Sequence, residues 1–249
     1  MRLGIVADIH GNDVALRAVL DDAEDLAVDR WWALGDLVLF GPRPAEVLQM
    51  LCGLPGIGML RGNTDRYVLT GEQPAPHKTA ADAVGSPDLV ERYARVAAGI
   101  AWTSGVLDQA GLLHLLDDLP AWLRLELDGG TRVLGVHASP LSDDDEGIAP
   151  DRTDDQLGSL LVGCAADVVV GGHTHSVTDR LVDGIRVLNP GSTGMPRATG
   201  AATWILLDDA EGTLSVTHRS VPFDTAAISR DLRARRHPNA AYFSSVLTG

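Results

Sequence analysis

Short apolar segments alternate with helical segments near the start of the chain, and this order restricts the folds that are open to it. Leu3–Ala7 is an uninterrupted apolar run, as expected of a strand that is buried on both faces. Trp31–Leu34 and Ile57–Leu60 are the next predicted strands, and helices are predicted after Asn12 and at Pro44–Cys52. Strand–helix–strand order indicates parallel strands joined by right-handed crossovers.

The rest of the chain changes from helical to strand-rich sequence. Residues 66–119 carry a loop with prolines and two helical patterns, Leu89–Trp102 and Gly105–Leu116. Because this segment is too small for a core of its own, we expect a helical insertion over the sheet. Strand-like runs follow, with hairpin turns predicted at Asp128-Gly129-Gly130, Asp183-Gly184 and Glu211-Gly212. Parallel units followed by hairpins favour two facing sheets, one of them mixed, with helices outside.

Charge and cysteine content limit the partners and the compartment. The chain has 20 Lys and Arg against 34 Asp and Glu, a formal net charge of −14. An acidic surface repels polyanions, so we expect no long nucleic acid and no membrane surface as partner. No apolar run is long enough to cross a bilayer or to form a signal-peptide core. Cys52 and Cys164 are too few for a disulfide framework, which predicts a cytoplasmic location.

Five short polar segments contain most of the side chains that can carry chemistry, and each follows a predicted strand. They are Asp8-Ile9-His10-Gly11-Asn12, Gly35-Asp36, Gly62-Asn63-Thr64-Asp65, Gly135-Val136-His137 and Gly171-Gly172-His173-Thr174-His175. Groups at the carboxyl ends of parallel strands converge on the crevice where open α/β sheets bind ligands. If the extended chain continues, Asp8 and His10 point to one side of it, and so do His173 and His175.

These segments supply two carboxylates, four imidazoles and one amide as possible metal ligands. Seven donors are too many for one four-coordinate zinc ion and suit two metal ions that share a carboxylate. Mixed nitrogen and oxygen donors without thiolates favour Mn, Fe or Zn over Ca or Mg. Taken singly, Asp36 is typical of a turn, Asn63 of an Asx-turn and His137 of a core histidine. Their joint occurrence in this order favours the metal site.

The five segments resemble, in order, the D-x-H, G-D, G-N-H-D/E, strand-His and G-H-x-H motifs of the calcineurin-like metallophosphoesterase superfamily. Asn189-Pro190-Gly191-Ser192 is also similar to a segment common in the compact bacterial single-domain members. The resemblance covers most of the chain except the insertion and the C-terminal tail. It implies one α/β domain over residues 1–249, built as a four-layer α/β/β/α sandwich with a helical insertion at 66–119.

The resemblance also divides the seven donors between two divalent metal ions. The first ion takes Asp8, His10 and His175, the second takes Asn63, His137 and His173, and Asp36 bridges both. It implies hydrolysis of a small phosphate ester by a metal-bridging hydroxide, with Asp36, Asn63 and His137 as catalytic residues. Phosphodiesters are slightly favoured over monoesters. Nucleotide phosphodiesterase, dinucleoside polyphosphate hydrolase and protein phosphatase activities all stay open, and so does the oligomeric state.

Substrate contacts are less strongly indicated than metal ligands. By family analogy Asn12 contacts the phosphate. Its position before an apolar periodic run also predicts that it caps the following helix, a role open to Asp13 too, and Asn12 can do both. Arg197, after the Asn-Pro-Gly-Ser segment, is the favoured arginine for clamping phosphate, ahead of Arg43 and Arg66. For each arginine a solvated surface position is the competing interpretation. No role is predicted for His77, His114, His218 and His237.

One position departs from the family pattern. The family has a histidine, thought to protonate the leaving oxygen, where this chain has Thr64. A neutral hydroxyl cannot supply a proton in the same way, although Asp65 beside it is retained. Either another group supplies the proton, or the leaving group is a weak base, or the enzyme is slow. The alternative is that the chain is a catalytically weak or inactive metal-binding scaffold for interactions with other proteins. A retromer subunit that resembles this fold serves as such a scaffold.

Overall fold

A computed structural model describes residues 1–76, 79–197, 200–209 and 213–248. In these ranges the strands are β1 Arg2–Val6, β2 Arg30–Leu34, β3 Gly58–Leu60, β4 Trp122–Glu126, β5 Arg132–Val136, β6 Val168–Val170, β7 Thr178–Val182, β8 Ile185–Asn189, β9 Ala201–Asp208 and β10 Ser215–Pro222. The helices are α1 Asp13–Ala23, α2 Pro44–Cys52, α3 Asn63–Thr70, α4 Ala80–Ala83, α5 Pro87–Gln109, α6 His114–Asp117, α7 Asp154–Leu160, α8 Thr225–Ala234 and α9 Ala240–Thr248. None of these helices is both long enough and apolar enough to pass through a bilayer.

The strands form two five-stranded sheets, and both are mixed. The first has the order β10-β9-β1-β2-β3, in which β1, β2 and β3 are parallel and β9 is antiparallel to both of its neighbours. The second has the order β4-β5-β6-β8-β7, with antiparallel strands at both edges of a parallel centre. The predicted pair of facing sheets is therefore confirmed. The parallel pairs β1–β2, β2–β3 and β5–β6 follow the strand–helix repeats, and the antiparallel pairs β4–β5 and β7–β8 follow the predicted hairpins.

Apolar side chains separate the molecule into four layers. The core between the sheets takes side chains from β1 and β2 on one side and from β5, β6 and β8 on the other; its members include Leu3, Ile5, Trp32, Leu34, Val133, Val170 and Leu188. On the outer face of the first sheet, α1, α2 and α5 cover a second core, where the rings of Trp31 and Trp204 lie 5.4 Å apart. Helix α7 covers the outer face of the second sheet. The predicted α/β/β/α sandwich is confirmed.

The insertion differs from its prediction in where its helices divide. Helix α5 contains all of Leu89–Trp102 and continues through Gly105 to Gln109, so only the end of the second predicted helix is separate, as α6. Gly105 does not end α5, since a glycine inside a helix costs only about 1 kcal/mol relative to alanine. Ile100 and Leu107 are buried on either side of Gly105 and hold both parts of the helix against the first sheet's core.

Three short helices were not predicted, namely α3, α4 and α9. Helix α3 begins at Asn63, so this proposed ligand lies in a helix and not in an Asx-turn. Helix α9 packs with α8 around Met195 and Phe243, which form a small core of their own with Leu232. The Glu211-Gly212 turn and His77 lie outside the described residues, but β9 and β10 pair in antiparallel fashion, as a hairpin requires.

Candidate metal centre

The seven predicted donors lie together where the two sheets meet. Asp8 and His10 follow β1, and Asp36 follows β2 of the same sheet. The second sheet contributes His137 after β5 and His173 and His175 after β6, and α3 contributes Asn63. All seven donors therefore converge at the carboxyl ends of parallel strands or just beyond them, as the strand order predicts.

The donor atoms fall into two groups with Asp36 between them. In the first group His10 Nε2 lies 3.2 Å from His175 Nε2, and Asp8 Oδ1 lies 3.5 Å from the same nitrogen. Asp36 Oδ2 lies 3.7 Å from His10 Nε2, and its other oxygen lies 3.3 Å from His137 Nε2.

The second group surrounds the amide oxygen of Asn63. Asn63 Oδ1 lies 3.0 Å from His137 Nε2 and 3.2 Å from His173 Nδ1. The amide is oriented by Tyr67, whose hydroxyl accepts from Asn63 Nδ2 at 3.3 Å, so that the oxygen is directed to the imidazoles. The structure thus brings the seven donors together, while their division between two metal ions stays a prediction.

Backbone carbonyls fix the orientation of three imidazoles. His10 Nδ1 donates to Leu39 O at 3.1 Å, His137 Nδ1 donates to Leu34 O at 2.7 Å, and His175 Nδ1 donates to Met195 O at 2.9 Å. A single ring proton on Nδ1 leaves Nε2 with a free lone pair. This neutral form of the imidazole is the one that binds metal ions.

This arrangement places acceptors against acceptors. The Nε2 lone pairs of His10 and His175 face each other at 3.2 Å, and the Nε2 lone pair of His137 faces Asn63 Oδ1 at 3.0 Å. Neither pair contains a donor when Nδ1 carries the proton, so each contact is repulsive unless a cation or a further proton lies near it. The donor set therefore fits metal ions.

Burial and close packing strengthen this fit. The side chains of Asp8 and Asp36 are almost completely buried, and Asp8 Oδ2 has no hydrogen-bond partner among the described residues. An isolated buried carboxylate oxygen costs free energy unless a cation compensates it. The backbone approaches these oxygens closely, since a Cβ atom at Gly172 would lie 2.8 Å from Asp8 Oδ2 and one at Gly62 would clash with Asp36.

The route by which the side chains converge differs from the prediction. We expected an extended chain to direct Asp8 and His10 to one side, but both residues have left-handed backbone, with φ of 54° and 50°. Asp36, His173 and His175 share it, with φ of 53°, 64° and 56°. Each such residue costs of order 1–3 kcal/mol and persists only where surrounding contacts impose it. Here the loops after β1 and β2 are tied by hydrogen bonds, among them His10 N to Asp36 O at 2.8 Å.

The protonation of the site without metal also favours a cation. Burial raises the pKa of Asp36 to about 7, and repulsion from Asp8 adds to this. Burial alone would raise the pKa of Asp8 too, but the imidazoles led by His175 hold it at about 2. Burial lowers the pKa of His10 to about 3. The pocket thus disfavours a second anionic carboxylate, and a bound cation would reverse that preference.

Asn12 acts as a helix cap in the structure. Its Oδ1 accepts from Ala15 N at 3.0 Å, and its Nδ2 donates to Gly194 O at 2.8 Å. The side chain is completely buried. The helix-capping alternative is therefore confirmed. Contact with a substrate stays a prediction, and both the oxygen and the nitrogen of the Asn12 amide already have a hydrogen-bond partner in the protein.

Three positioning residues were missed as such from the sequence. Asp65 accepts from Leu37 N at 2.9 Å and from Gly62 N at 3.0 Å, so it ties the loops after β2 and β3 together. Ser192 donates to Asp8 O at 2.8 Å, and Asn189 donates to Gly172 O at 2.7 Å. The Asn-Pro-Gly-Ser similarity was the signal for Asn189 and Ser192. Their hydrogen bonds hold the backbone of the loops that carry Asp8 and His173.

The three arginines considered for phosphate have different surroundings. Arg43 pairs with Asp231 at 2.6 Å, and Arg66 forms a two-point pair with Asp143 at 2.9 and 3.0 Å. Both are half-buried and held by carboxylates, which differs from the solvated surface position of the competing interpretation. Arg197 lines a cavity of about 520 Å³ together with His173, so it alone of the three shares a cavity with a predicted histidine ligand.

A second cavity, of about 460 Å³, also borders the centre. Asn63 and Thr64 form part of its wall. Thr64 N donates to Asp36 Oδ1 at 2.9 Å, whereas Thr64 Oγ1 is buried and has no hydrogen-bond partner among the described residues. Two cavities therefore border the centre, one lined in part by Asn63 and the other by His173.

Comparison with known proteins gives the same picture as the geometry. A family model described as the calcineurin-like phosphoesterase superfamily domain matches residues 1–212. The uncharacterised protein MJ0912 of Methanocaldococcus jannaschii is 28% identical over 226 residues, which cover 84% of this chain and 83% of that protein. A metallophosphoesterase from Sphaerobacter thermophilus is 26% identical, with a TM-score of 0.74 and coverage of 100% of this chain and 99% of the other.

The fold as a whole is matched by a further solved structure. The hypothetical protein PH1004 from Pyrococcus horikoshii OT3 has a TM-score of 0.82 at 24% sequence identity. The alignment covers 99% of this chain and 97% of that structure, so it includes the insertion and the C-terminal helices. The whole described chain, and not only its five polar segments, therefore shares its architecture with a known structure.

Proposed function

Because the chain belongs to the calcineurin-like phosphoesterase superfamily, we propose that it hydrolyses phosphate esters with two divalent metal ions held by its seven converging donors. Asp8, His10 and His175 would hold one ion, Asn63, His137 and His173 would hold the other, and Asp36 would bind both. The main support for this proposal is that acceptor atoms lie in contact with each other. His10 Nε2 faces His175 Nε2, and His137 Nε2 faces Asn63 Oδ1. Mn, Fe and Zn suit these donors best.

When bound, the two ions would supply a water-derived nucleophile and neutralise charge on the phosphoryl group. The protein's own part is to hold the donors still before substrate arrives. Leu34, Leu39 and Met195 carbonyls fix three imidazoles, and the Thr64 amide fixes one oxygen of Asp36. Such preorganisation avoids reorganisation during the reaction and accounts for much of enzymatic rate enhancement. Asp36, Asn63 and His137 lie in the middle of the centre and are the proposed catalytic residues.

The two cavities support a preference for phosphodiesters. A diester carries an organic group on each side of the phosphorus atom, and the centre has open space on the Asn63 side and on the His173 side. A monoester would fill only one of them. Arg197 in the second cavity stays the proposed contact to the substrate on that side. A cytoplasmic location is proposed as well, since Cys52 and Cys164 are both free thiols.

Metal content tests the proposed centre directly. After loading with Mn and desalting, elemental analysis should give two equivalents per chain. Asp36→Asn should lower the occupancy of both sites because it removes the shared charged ligand. Cys52→Ser and Cys164→Ser are the controls and should keep two equivalents. One equivalent or less in the native protein, unchanged by Asp36→Asn, would contradict the bridged centre.

Hydrolysis tests whether the centre is catalytic. An aryl phosphodiester should be cleaved in a reaction that Mn stimulates and a chelator stops, and His137→Ala should abolish it. Mono- and diesters with the same aryl group should be compared with Mn, Zn, Fe and Mg added separately. A folded, metal-loaded protein that cleaves none of them would favour the interaction scaffold instead.

A further inference from the structure

The cavity lined by Asn63 has walls from three helices and three loops. Helix α3 contributes Thr64 and Tyr67, α5 contributes Arg92, Arg95 and Val96, α9 contributes Tyr242, and Phe40 lies on the loop after β2. We infer that this cavity binds the nucleotide part of a phosphodiester whose scissile phosphate lies at the seven donors. This inference rests on the proposed function and names its substrate class.

Aromatic rings connect the metal centre to the cavity. The ring of Phe40 lies 5.5 Å from that of His10 and 5.8 Å from that of Tyr242. Phe40 has a φ of 88°, a backbone conformation that is a clear outlier for a bulky residue and that marks a functional constraint. With Tyr67, these rings give a mainly apolar pocket, and a planar base can stack on such surfaces.

Two residues of the cavity wall carry buried polar atoms, Thr64 Oγ1 and Asn239 Nδ2, that make no hydrogen bond with the described residues. Both atoms are enclosed by protein and lie behind the cavity surface, and Asn239 Nδ2 faces the backbone of α5 at Gly99. A cavity whose wall combines polar residues with apolar rings suits a ligand with polar edges. A nucleoside offers such edges on its base and sugar, while a purely apolar ligand does not.

Positive charge lies on α5, although the chain as a whole is strongly acidic. Arg92 is exposed and has no ion pair with any described residue. Arg95 lies with its guanidinium 5.6 Å from the centre of the Tyr242 ring, and its one ion pair within the described chain is a 3.9 Å contact with the exposed Glu91. Two guanidinium groups beside an aromatic pocket complement a base followed by a second phosphate.

The cavity volume of about 460 Å³ suits this class of ligand, since binding pockets for small molecules measure roughly 300–1,000 Å³. The insertion supplies the arginines, and α9 supplies the facing ring. Both elements lie outside the five polar segments, so the cavity is a property of this chain's additions to the sheets. Substrate choice is therefore assigned to α5 and α9, separately from the metal centre.

Filling the cavity tests the inference. The Mn-loaded protein is assayed with diadenylate and with methyl nitrophenyl phosphate, a small diester that carries no nucleoside. Val96→Trp should raise KM for diadenylate by about tenfold, as expected for loss of a buried stacking contact, and leave methyl nitrophenyl phosphate unchanged. Val90→Trp, on the exposed side of the same helix, is the matched control and should change neither.

Removing the charge of the exposed Arg92 is the second test. The native protein should cleave diadenylate that carries a terminal phosphate with a higher kcat/KM than diadenylate without one. Arg92→Gln should lower the ratio of these two kcat/KM values by about tenfold. Arg124→Gln, on the second sheet, is the control. Calorimetric titration of the chelator-treated protein with adenosine bisphosphate measures binding without turnover. The affinity should be lower in Val96→Trp and in Arg92→Gln than in the native protein.

The outcomes separate the two proposals. If Val96→Trp and Val90→Trp behave alike on every substrate, and Arg92→Gln keeps the preference for the terminal phosphate, the cavity does not bind nucleotide. If the native protein cleaves neither diadenylate nor methyl nitrophenyl phosphate but still binds adenosine bisphosphate in a cavity-dependent way, the nucleotide site stands and the phosphoesterase proposal fails.

Discussion

At the scale of single residues, the protein places strained backbone where its proposed ligands are. Five of the seven donors are non-glycine residues with positive φ, from 50° at His10 to 64° at His173. Such strain was not readable from the sequence, because an extended chain and a left-handed turn place the same residue types at the same spacing. What the sequence did predict were the donors themselves, because residue type decides ligand chemistry whatever the path of the chain.

Thr64 is the residue whose change should alter the chemistry most specifically. A positioned general acid is worth about 10²–10⁴-fold, and more for basic leaving groups. The native protein should therefore lose rate steeply from aryl to alkyl diesters, and Thr64→His should flatten that dependence. The measurement is kcat/KM against leaving-group pKa at equal metal content.

The structure restricts how such a histidine would work. Both oxygens of Asp65 accept backbone N–H groups, so an imidazole at position 64 would have to bond an oxygen that already has one partner. The new ring would rely on the cavity wall for its position. Thr64→Val, which removes only the unpaired hydroxyl, serves as control and should keep the native slope. Equal slopes for all three proteins would mean that Thr64 does not mark a missing acid.

At the scale of elements, α5 shows how tertiary contacts override a local signal. The glycine at position 105 suggested a break, but burial on both sides of it makes the helix continuous. The bounds of α2 agreed with the predicted Pro44–Cys52 to the residue, because its apolar pattern is unambiguous. Helix α9 was missed because its packing partners, among them Met195, are distant in the chain.

Two glycines of α5 give a matched pair for testing this account. Gly105→Ala should stabilise the protein by about 0.5–1 kcal/mol, since alanine favours helix and a Cβ there meets no atom within 4 Å. Gly99→Ala should destabilise it, because its Cβ would collide with the Asn239 amide. Urea denaturation measures both changes. A similar gain in both variants would mean that α5 does not pack against the Asn239 loop as described.

At the scale of the whole molecule, the C-terminal helices join the insertion to the rest of the protein. His237, in the loop between α8 and α9, is buried, and its ring lies 4.3 Å from that of Trp102 in α5. Its Nδ1 accepts from Asn239 N at 3.1 Å, while Nε2 has no hydrogen-bond partner among the described residues. Burial lowers the pKa of His237 to about 4.

The pH dependence of stability follows from this depressed pKa. Between about pH 6.5, the ordinary value, and about pH 4, the unfolded chain binds a proton at His237 that the folded protein does not. The stability that neutral His237 contributes is complete above pH 6.5 and declines as the pH falls toward 4. In urea denaturation at a series of pH values, His237→Gln should show a shallower decline than the native protein over this window. Parallel curves would contradict the burial of a neutral imidazole.

The separation of the ligands along the chain sets the order of events during synthesis. His10 and His175 face each other across 165 positions, and His137 faces Asn63 across 74. A ribosome-bound chain that has completed only β1, β2 and β3 presents Asp8, His10, Asp36 and Asn63 without a single partner from the second sheet. Neither proposed ion site is complete until the chain has been made beyond β6, as far as His173 and His175. The proposed ions would therefore bind after the two sheets have come together, and not while the first sheet is being synthesised.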